Sequence, residues 1–555
     1  MSGPIRFAAA FAVLFLIGAA ANGTVIHVPG DYETIQEAVD AAVWGDEIRV
    51  APGRFSDPTH IAGAGDTTKC CVILKSGISL SGAGVGQTTI DADSSGRGIH
   101  LYQCQSVQIS DLTITGGYAE VYGGAILCRQ SSPIIERCEI VENHDGGIAT
   151  IEASSPTIRY CLMHHNVAKN GGGVEVEAGC QPHFYDCDIV DNEAPFAAGV
   201  MLRGSATLDH CRVLRNRTTG GVSVMGGGIL VVDSASPTIV DCEICDNECS
   251  GDGAGIALMG EGTAAVIEGC LITGNTSTGL ESRGGGIFVA AQATPEIRGC
   301  IVAGNHTSGP WSDGGGLYVQ YSGVDLSDCT FHANWTDGNG YLAGNVGIET
   351  SDFIPLSVTI THSIMAFSPD GRGVFCTGNG NAPEISCCDV YGNAGGDGLC
   401  GVGTGNFSLN PLLCDPAAGN YHVAATSPCA PGNHPDGPNA CDGLLIGARR
   451  AGCTSGLEDP ILPGSVRLLG SRPNPFRDRA LITFSMSRAM PVNLEVLDPS
   501  GRRVALLHDG PLGPGPHEIT WDGRTQAGER AASGVYFYRV RCGGVTQGLR
   551  LLRLQ

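Results

Sequence analysis

Read only for hydrophobic and polar positions, the middle of the chain repeats one phrase. In Ile267–Asn275 an aliphatic residue, two variable residues and a cysteine are followed by a variable residue, an aliphatic, two more residues and an asparagine. The cysteine slot holds Cys138, Cys161, Cys187, Cys211, Cys242, Cys270, Cys300, Cys329 and Cys388, with Ser363 standing in once. Five residues later come Asn143, Asn166, Asn192, Asn216, Asn247, Asn275, Asn305, Asn334 and Asn393, and successive cysteine slots lie 23 to 34 residues apart. Between them run short β-rich pieces such as "GGGIFVA" and "PEIRGCIVAG", divided by glycine-rich or polar turns. No unit holds the amphipathic stretch of about ten residues that a helical repeat requires. Strands this short cannot bury an apolar face alone, so the pattern predicts an all-β parallel solenoid with equivalent residues stacked in columns ~4.8 Å apart.

In that frame the cysteines form an inward column of small, mostly unpaired apolar side chains. The asparagines form an inward ladder whose amides bond from coil to coil. The sequons at Asn216, Asn275, Asn305 and Asn334 are then accidents of the ladder, not glycosylation sites. A triple glycine such as that beginning at Gly284 precedes a strand rather than a helix, so it reads as a sharp turn and not a phosphate loop.

The ends break the pattern. In "YETIQEAVDAAVWGDEIRVAPGRF" (Tyr32–Phe55), Thr34 and Glu37 form a capping box, and Ile35, Ala38, Val39 and Ala42 line one helical face. That helix would close the first coil. Residues 410–453 are rich in Pro, Gly and Cys, and Cys414, Cys429, Cys441 and Cys453 lie outside the ladder, where disulfides with three alternative connectivities are expected. Residues 454–464 read as a linker, after which alternating strands return.

Composition narrows the setting. Of 555 residues, 83 are glycine, only three are lysine, and the formal charge is −24, which argues against a nucleic-acid partner because phosphate binding needs clustered Lys and Arg. Arg6 followed by the apolar run 7–20 and Ala19-Ala20-Ala21 reads as a secretory signal peptide. That run is shorter than a span requires and no later one is apolar enough, so an integral membrane protein is not expected.

On these motifs residues 24–452 resemble the right-handed parallel β-helix proteins of the pectin-lyase-like superfamily. Phe476, Asp498 with Gly501-Arg502, Trp521-Asp522-Gly523 and Gly534-Val535-Tyr536, together with Asn474-Pro475, resemble two small Ig-like modules of exported bacterial proteins. These are the type IX secretion sorting domain and the flagellar hook-scaffold Ig-like domain. The resemblance implies a Gram-negative protein carried to the surface or released, with export machinery as a partner of the C-terminal module. The terminal "LRLLRLQ" departs from the basic tail often seen there. The expected organisation is a signal peptide at 1–21, a β-helix at 22–409 capped over 22–60, a Cys-rich cap at 410–453, the linker at 454–464 and an Ig-like β-sandwich at 465–555.

The superfamily's galacturonan hydrolases carry clustered aspartates and a Gly-His-Gly, which are missing here; Asp57-Pro58-Thr59-His60 departs from the epimerases' Asp-Pro-His. One charged patch stands out. Four residues after the anchor come Glu142, His165, Asp191, Arg215 and Asp246; one after it come Asp188, Arg212 and Glu243; one before it come Asp186, His210 and Asp241. A solvated face of cross-coil ion pairs explains these ladders. The functional alternative is a groove for an acidic glycan, with calcium on the acids Asp186, Asp188, Asp191, Asp241, Glu243 or Asp246 and with Arg212, Arg215 or His210 as catalytic groups. The sequence leans towards a non-catalytic surface protein that binds carbohydrate or another cell-surface ligand. A polysaccharide lyase or related carbohydrate-active enzyme is the alternative.

Overall fold

The computed structural model describes residues 23–453 and 466–553, except 64, 121, 222–223, 340–341, 355–356, 473–475, 478, 487–489, 500, 513–514 and 543–544. The signal-peptide reading at 1–21, the linker at 454–464 and the Asn474-Pro475 motif lie outside the described residues.

One coil explains the rest. Its first strand, Val266–Glu268, turns at Gly269, passes the inward Cys270, and becomes the second strand, Leu271–Thr273. A second corner at Gly274 leads through Asn275 to the short pair Thr276–Ser277, then a loop, then the third strand Ile287–Ala290. Stacked coils build parallel sheets of 14 and 13 strands on the first and second faces, a 13-stranded third face, and a six-stranded ribbon from Glu193–Ala194 to Trp335–Thr336. The third face is parallel except where His60–Gly63 pairs antiparallel with Asp66–Leu74. Register follows the sequence columns, with Ile239, Ile267 and Ile297 paired in turn and Ile244, Ile272 and Val302 likewise. This is a right-handed parallel β-helix with a single continuous core.

All nine anchor cysteines are buried free thiols. The Sγ of Cys270 lies 3.4 Å from the Ile239 carbonyl of the coil below and 3.3 Å from that of Glu268. The asparagines run as one hydrogen-bonded ladder: Asn247 Nδ2 donates to Asn275 Oδ1 at 2.9 Å, and Asn275 Nδ2 to Asn305 Oδ1 at 2.9 Å. The four sequon asparagines are fully buried. Asn345, absent from the sequence pattern, joins the ladder between Asn334 and Asn393, because the coil built on Ser363 supplies no asparagine of its own.

Both corners of the coil are left-handed. At the residue before the anchor φ is +48° for Asp186, +53° for His210 and +50° for Asp241; four residues after it, φ is +54° for Asp191, +52° for Arg215 and +56° for Asp246. Gly269 and Gly274 fill these slots where no side chain is used, since glycine adopts positive φ without steric cost.

The ends are closed. Helix α1, Ile35–Ala41, carries the capping box: Thr34 Oγ1 accepts from Glu37 N at 3.2 Å and Glu37 Oε2 from Thr34 N at 3.0 Å. Ile35, Ala38 and Val39 are buried on the first coil. At the far end Cys414 pairs with Cys453. The other expected partners do not pair with each other. Cys441 bonds Cys387, which sits on a left-handed corner and points away from the core; Cys429 is a buried free thiol whose Sγ lies 3.2 Å from Asp389 Oδ2. A third bridge, Cys376–Cys400, ties the last coil to the loop beyond it.

The C-terminal module is an antiparallel sandwich. Val466–Arg472, Ala480–Met486 and Gly515–Trp521 form one sheet, and four strands from Met490–Leu497 to Val545–Arg553 form the other. Its core, around Phe476, Phe484, Trp521 and Tyr538, is separate from that of the solenoid.

Candidate functional site

The charged ladders of the second face come together, but as paired charges. Arg212 binds Asp188 through two bonds of 2.7 Å, and Arg215 binds Asp191 at 2.9 and 2.8 Å. His210 turns to Asp209 at 2.5 Å and lies 3.9 Å from Asp241. Burial pushes Asp186 up to about 6. Burial also opposes ionisation of Asp188, but Arg212 and Arg550 outweigh it and hold that carboxyl below its usual value. Arg550 belongs to the Ig-like module and contacts Asp188 directly. Beside this contact Val85 and Leu162 of the solenoid face Pro499, Phe537 and Leu552 of the module across a narrow crevice of about 80 Å³.

This arrangement favours the face of cross-coil ion pairs over the groove. Part of the patch is an intramolecular contact, and both arginines are already matched to carboxylates. Nor does it suit calcium, since the oxygens of Asp188 and Asp191 are taken by guanidinium groups, and among the described residues no group of three or more His, Cys, Asp or Glu is placed to hold a metal ion.

A cleft of about 590 Å³ opens instead on the third face. The outward column of that sheet runs His100, Leu127, Ala149, Glu175, Met201, Leu230. Ala149 is small enough to leave space beside Glu175, and the corner loops of neighbouring coils supply the walls with Glu120, Tyr122, Asp145 and Lys169. Arg203, one coil on, donates through Nη1 to Glu175 at 2.8 Å and Glu177 at 2.7 Å, while its Nε lies 3.4 Å from Asp233. Glu175 is 6% exposed, and burial pushes its carboxyl up to about 7 against the pull of Arg203. Burial, then the Glu177 and Glu175 carboxylates, push the Tyr122 phenol up as well.

The Tyr122 wall is fixed from behind. Buried Arg97 donates to the carbonyls of Tyr122 and Gly123, both at 3.0 Å, and is held by Asp66 at 2.8 Å. His100 lies 3.2 Å from Arg97; burial, then that guanidinium, pull it down to about 4, so it is neutral at physiological pH. A second hollow of about 530 Å³ shares Glu120, Asp145 and Lys169 with the cleft and extends it past His144 to Tyr118, whose ring is half exposed.

None of these residues stands out in the cysteine-anchored alignment of the units. Loops of variable length separate the third strand from the anchor, so its outward positions fall out of register when the units are aligned on cysteine. Two signals were available. Glu175 is a charge in an otherwise largely apolar column, and Lys169 is one of only three lysines in the chain.

Comparison with known families and structures follows this division. The model described as right handed beta helix region matches residues 60–217, 196–282 and 227–410, more than half of the chain, and the FlgD Ig-like domain model matches residues 476–543. A search of curated proteins finds no match. Among solved structures the chain is similar to dimeric latent PorU from Porphyromonas gingivalis, at 23% identity over 18% of this chain and only 10% of PorU, with a TM-score of 0.15. It is similar to the A-module of the Azotobacter vinelandii mannuronan C-5 epimerase AlgE6, at 15% identity over 68% of this chain and 93% of that module, with a TM-score of 0.38. It is similar also to pectate lyase Pel9A, at 13% identity over 78% of this chain and 97% of that one, with a TM-score of 0.34. With its stacked coils and the family match over most of them, the chain belongs to the right-handed β-helix family and carries an Ig-like domain at its C-terminal end.

Proposed function

We propose that this is an exported bacterial β-helix protein that binds carbohydrate in the third-face cleft. The observation that carries the reading is the cleft itself. It is a pre-formed, elongated hollow on a rigid scaffold, lined by hydrogen-bonding side chains and ending at an exposed aromatic ring. Tyr118 offers a sugar ring a flat apolar surface, and Lys169, Arg203 and the carboxylates offer donors and acceptors to hydroxyl groups. Five carboxyl groups (Glu120, Asp145, Glu175, Glu177 and Asp233) outnumber the cations Lys169 and Arg203. A uronate polymer would be repelled, so the ligand is an uncharged glycan, which departs from the acidic glycan of the alternative drawn from sequence.

The signal-like N-terminus and the Ig-like module support delivery to the surface or release from a Gram-negative cell, with the module addressing the export machinery in the manner of a type IX sorting domain. Calorimetry with neutral glycans selected on an array tests the binding site. The double variant Tyr118→Ala, Lys169→Ala should weaken binding at least tenfold with an unchanged thermal transition. If no neutral glycan binds, or if the double variant binds as tightly as the parent, the reading fails.

A further inference from the structure

We propose that the Ig-like module is a releasable latch, docked on the second face of its own solenoid through Arg550 and a patch of apolar side chains. The module's sheet is built for such a contact. In the paired strands Gly534–Cys542 and Val545–Arg553, Tyr536, Tyr538, Val540 and Leu551 belong to the core. Alternation then turns Val535, Phe537, Arg550 and Leu552 outward, with Val535 opposite Leu552 and Phe537 opposite Arg550. The water-facing side of an antiparallel sheet is polar. Three apolar residues grouped around one arginine make a docking face instead.

The solenoid shows the matching cover. The residue after each anchor points outward on the second face, yet this column is buried at both ends. Ile364 and Thr330 are fully buried, because the Cys-rich cap folds back over them: Val423 and Ile446 pack on Ile364, and Ala448 N donates to Thr330 Oγ1 at 2.9 Å. Glu243 is open to solvent. Beyond it Asp188 is covered again, at 9% exposed, with Arg550 of the module on its carboxylate. Cap and module thus occupy one face in succession, with a gap between them.

Sign, shape and reach agree. Arg550 meets Asp188, with Glu139 in the same crevice, while Val85 and Leu162 face Pro499, Phe537 and Leu552. Five coil steps, from Asp188 through Arg212, Glu243, Leu271 and Ile301 to Thr330, separate the module's contact from the cap's, a distance of about 24 Å. The 12 residues between Cys453 and Val466 can span up to about 40 Å, so a module reaches the face of its own chain. The contact is also one that can open. A crevice of about 80 Å³ stays unfilled between the two surfaces, and partly polar contacts between domains are ordinarily reversible. Opening bares the patch from Val535 to Leu552, so another protein that reads this sheet face competes with the solenoid for it.

The test uses the full-length protein, with small-angle X-ray scattering for shape and hydroxyl-radical footprinting for cover. The parent should be compact and monomeric, with Leu162 and Phe537 protected at every concentration. Arg550→Glu sets a like charge against Asp188 and Glu139 and should favour the open form about a hundredfold. The radius of gyration should then rise, and Leu162 and Phe537 should become reactive together. Leu162→Glu should open the latch from the solenoid side with the module's own sequence intact, so it decides the matter if Arg550→Glu disturbs the module. Leu162 and Phe537 as reactive in the parent as in the variants, or a module that stays docked in Leu162→Glu, overturns the proposal. Protection lost on dilution would place the module on a second copy and overturn docking within one chain.

Discussion

The asparagine ladder makes the sharpest claim on stability, and Asn275→Ala tests it. The Asn275 side chain is fully buried and makes four hydrogen bonds. Its Nδ2 donates to Ile244 O at 2.8 Å and Asn305 Oδ1 at 2.9 Å, and its Oδ1 accepts from Asn247 N at 3.0 Å and Asn247 Nδ2 at 2.9 Å. Alanine removes all four. Two neighbours are cushioned, because Asn247 Nδ2 still reaches Val213 O and Asn305 Oδ1 still accepts from Asn275 N. The Asn247 amide and the Ile244 carbonyl lose the side-chain bond outright, in a place water cannot enter. Bonds worth about 1 kcal/mol each, plus a desolvation cost of about 1–3 kcal/mol for a group left unsatisfied, put the loss near 4 kcal/mol. Urea unfolding followed by circular dichroism should show a clearly lower midpoint, and hydrogen exchange should accelerate most in the coils on either side, since a solenoid couples mainly to its nearest neighbours. A loss below about 1 kcal/mol would mean that the amides are not the cross-coil fasteners described here.

Three further outcomes are expected. The folded Glu175 carboxyl titrates near 7, above its unfolded value, so its contribution to stability is complete below about pH 4 and is lost as pH rises to 7, on the order of 3 kcal/mol in all. Glu175→Gln should therefore flatten that part of the pH–stability curve relative to the parent, and a curve of unchanged shape would contradict the shift. Arg212→Ala should cost about 1–2 kcal/mol because it uncovers a buried carboxylate, whereas Arg215→Ala, whose pair with Asp191 is half exposed, should stay within about 0.5 kcal/mol; denaturation of the two variants side by side decides it. Thiol reagents should modify the anchor cysteines slowly in the native protein and fully after non-reducing denaturation, while Cys414 and Cys453 stay protected until reduced; mass mapping showing Cys270 linked to Cys300 would refute the unpaired column.

What could be read from sequence divides along the wall of the solenoid. Inward positions face the same surroundings in every coil, so packing asks for a small side chain each time: Cys270 lies between Cys242 and Cys300, and Ser363 fills the slot where cysteine is missing. That repetition made the fold, the thiol column and most of the ladder legible, together with the cap helix, whose Thr34 and Glu37 signal is local. Failures occur where a contact depends on how far a loop travels. Asn345 enters the ladder only 11 residues after Asn334, and Cys441 reaches back 54 residues to Cys387 instead of pairing within its own segment. The ionic ladders at Arg212 and Arg215 were visible because they keep the anchor's register, but register gave no sign that the Ig-like module places Arg550 on Asp188.

The same division explains why the sequence does not mark the cleft. The outward column of the third face is itself buried and mostly apolar, with Leu127, Ala149, Met201 and Leu230 in line, but that pattern appears only once the third strands are set in register. Glu175 departs from it, a buried acid between Ala149 and Met201 where the column has no structural need of charge. Arg203 then has to be explained by Glu175, Glu177 and Asp233 together, since a guanidinium serving three carboxyl groups is a poor device for stability: the desolvation of the acids opposes what the ion pairs return. Replacing this cluster with apolar residues of similar volume should stabilise the coil or leave it unchanged. On that ground we propose that the cluster serves a ligand in the cleft beside Ala149 rather than the stability of the coil.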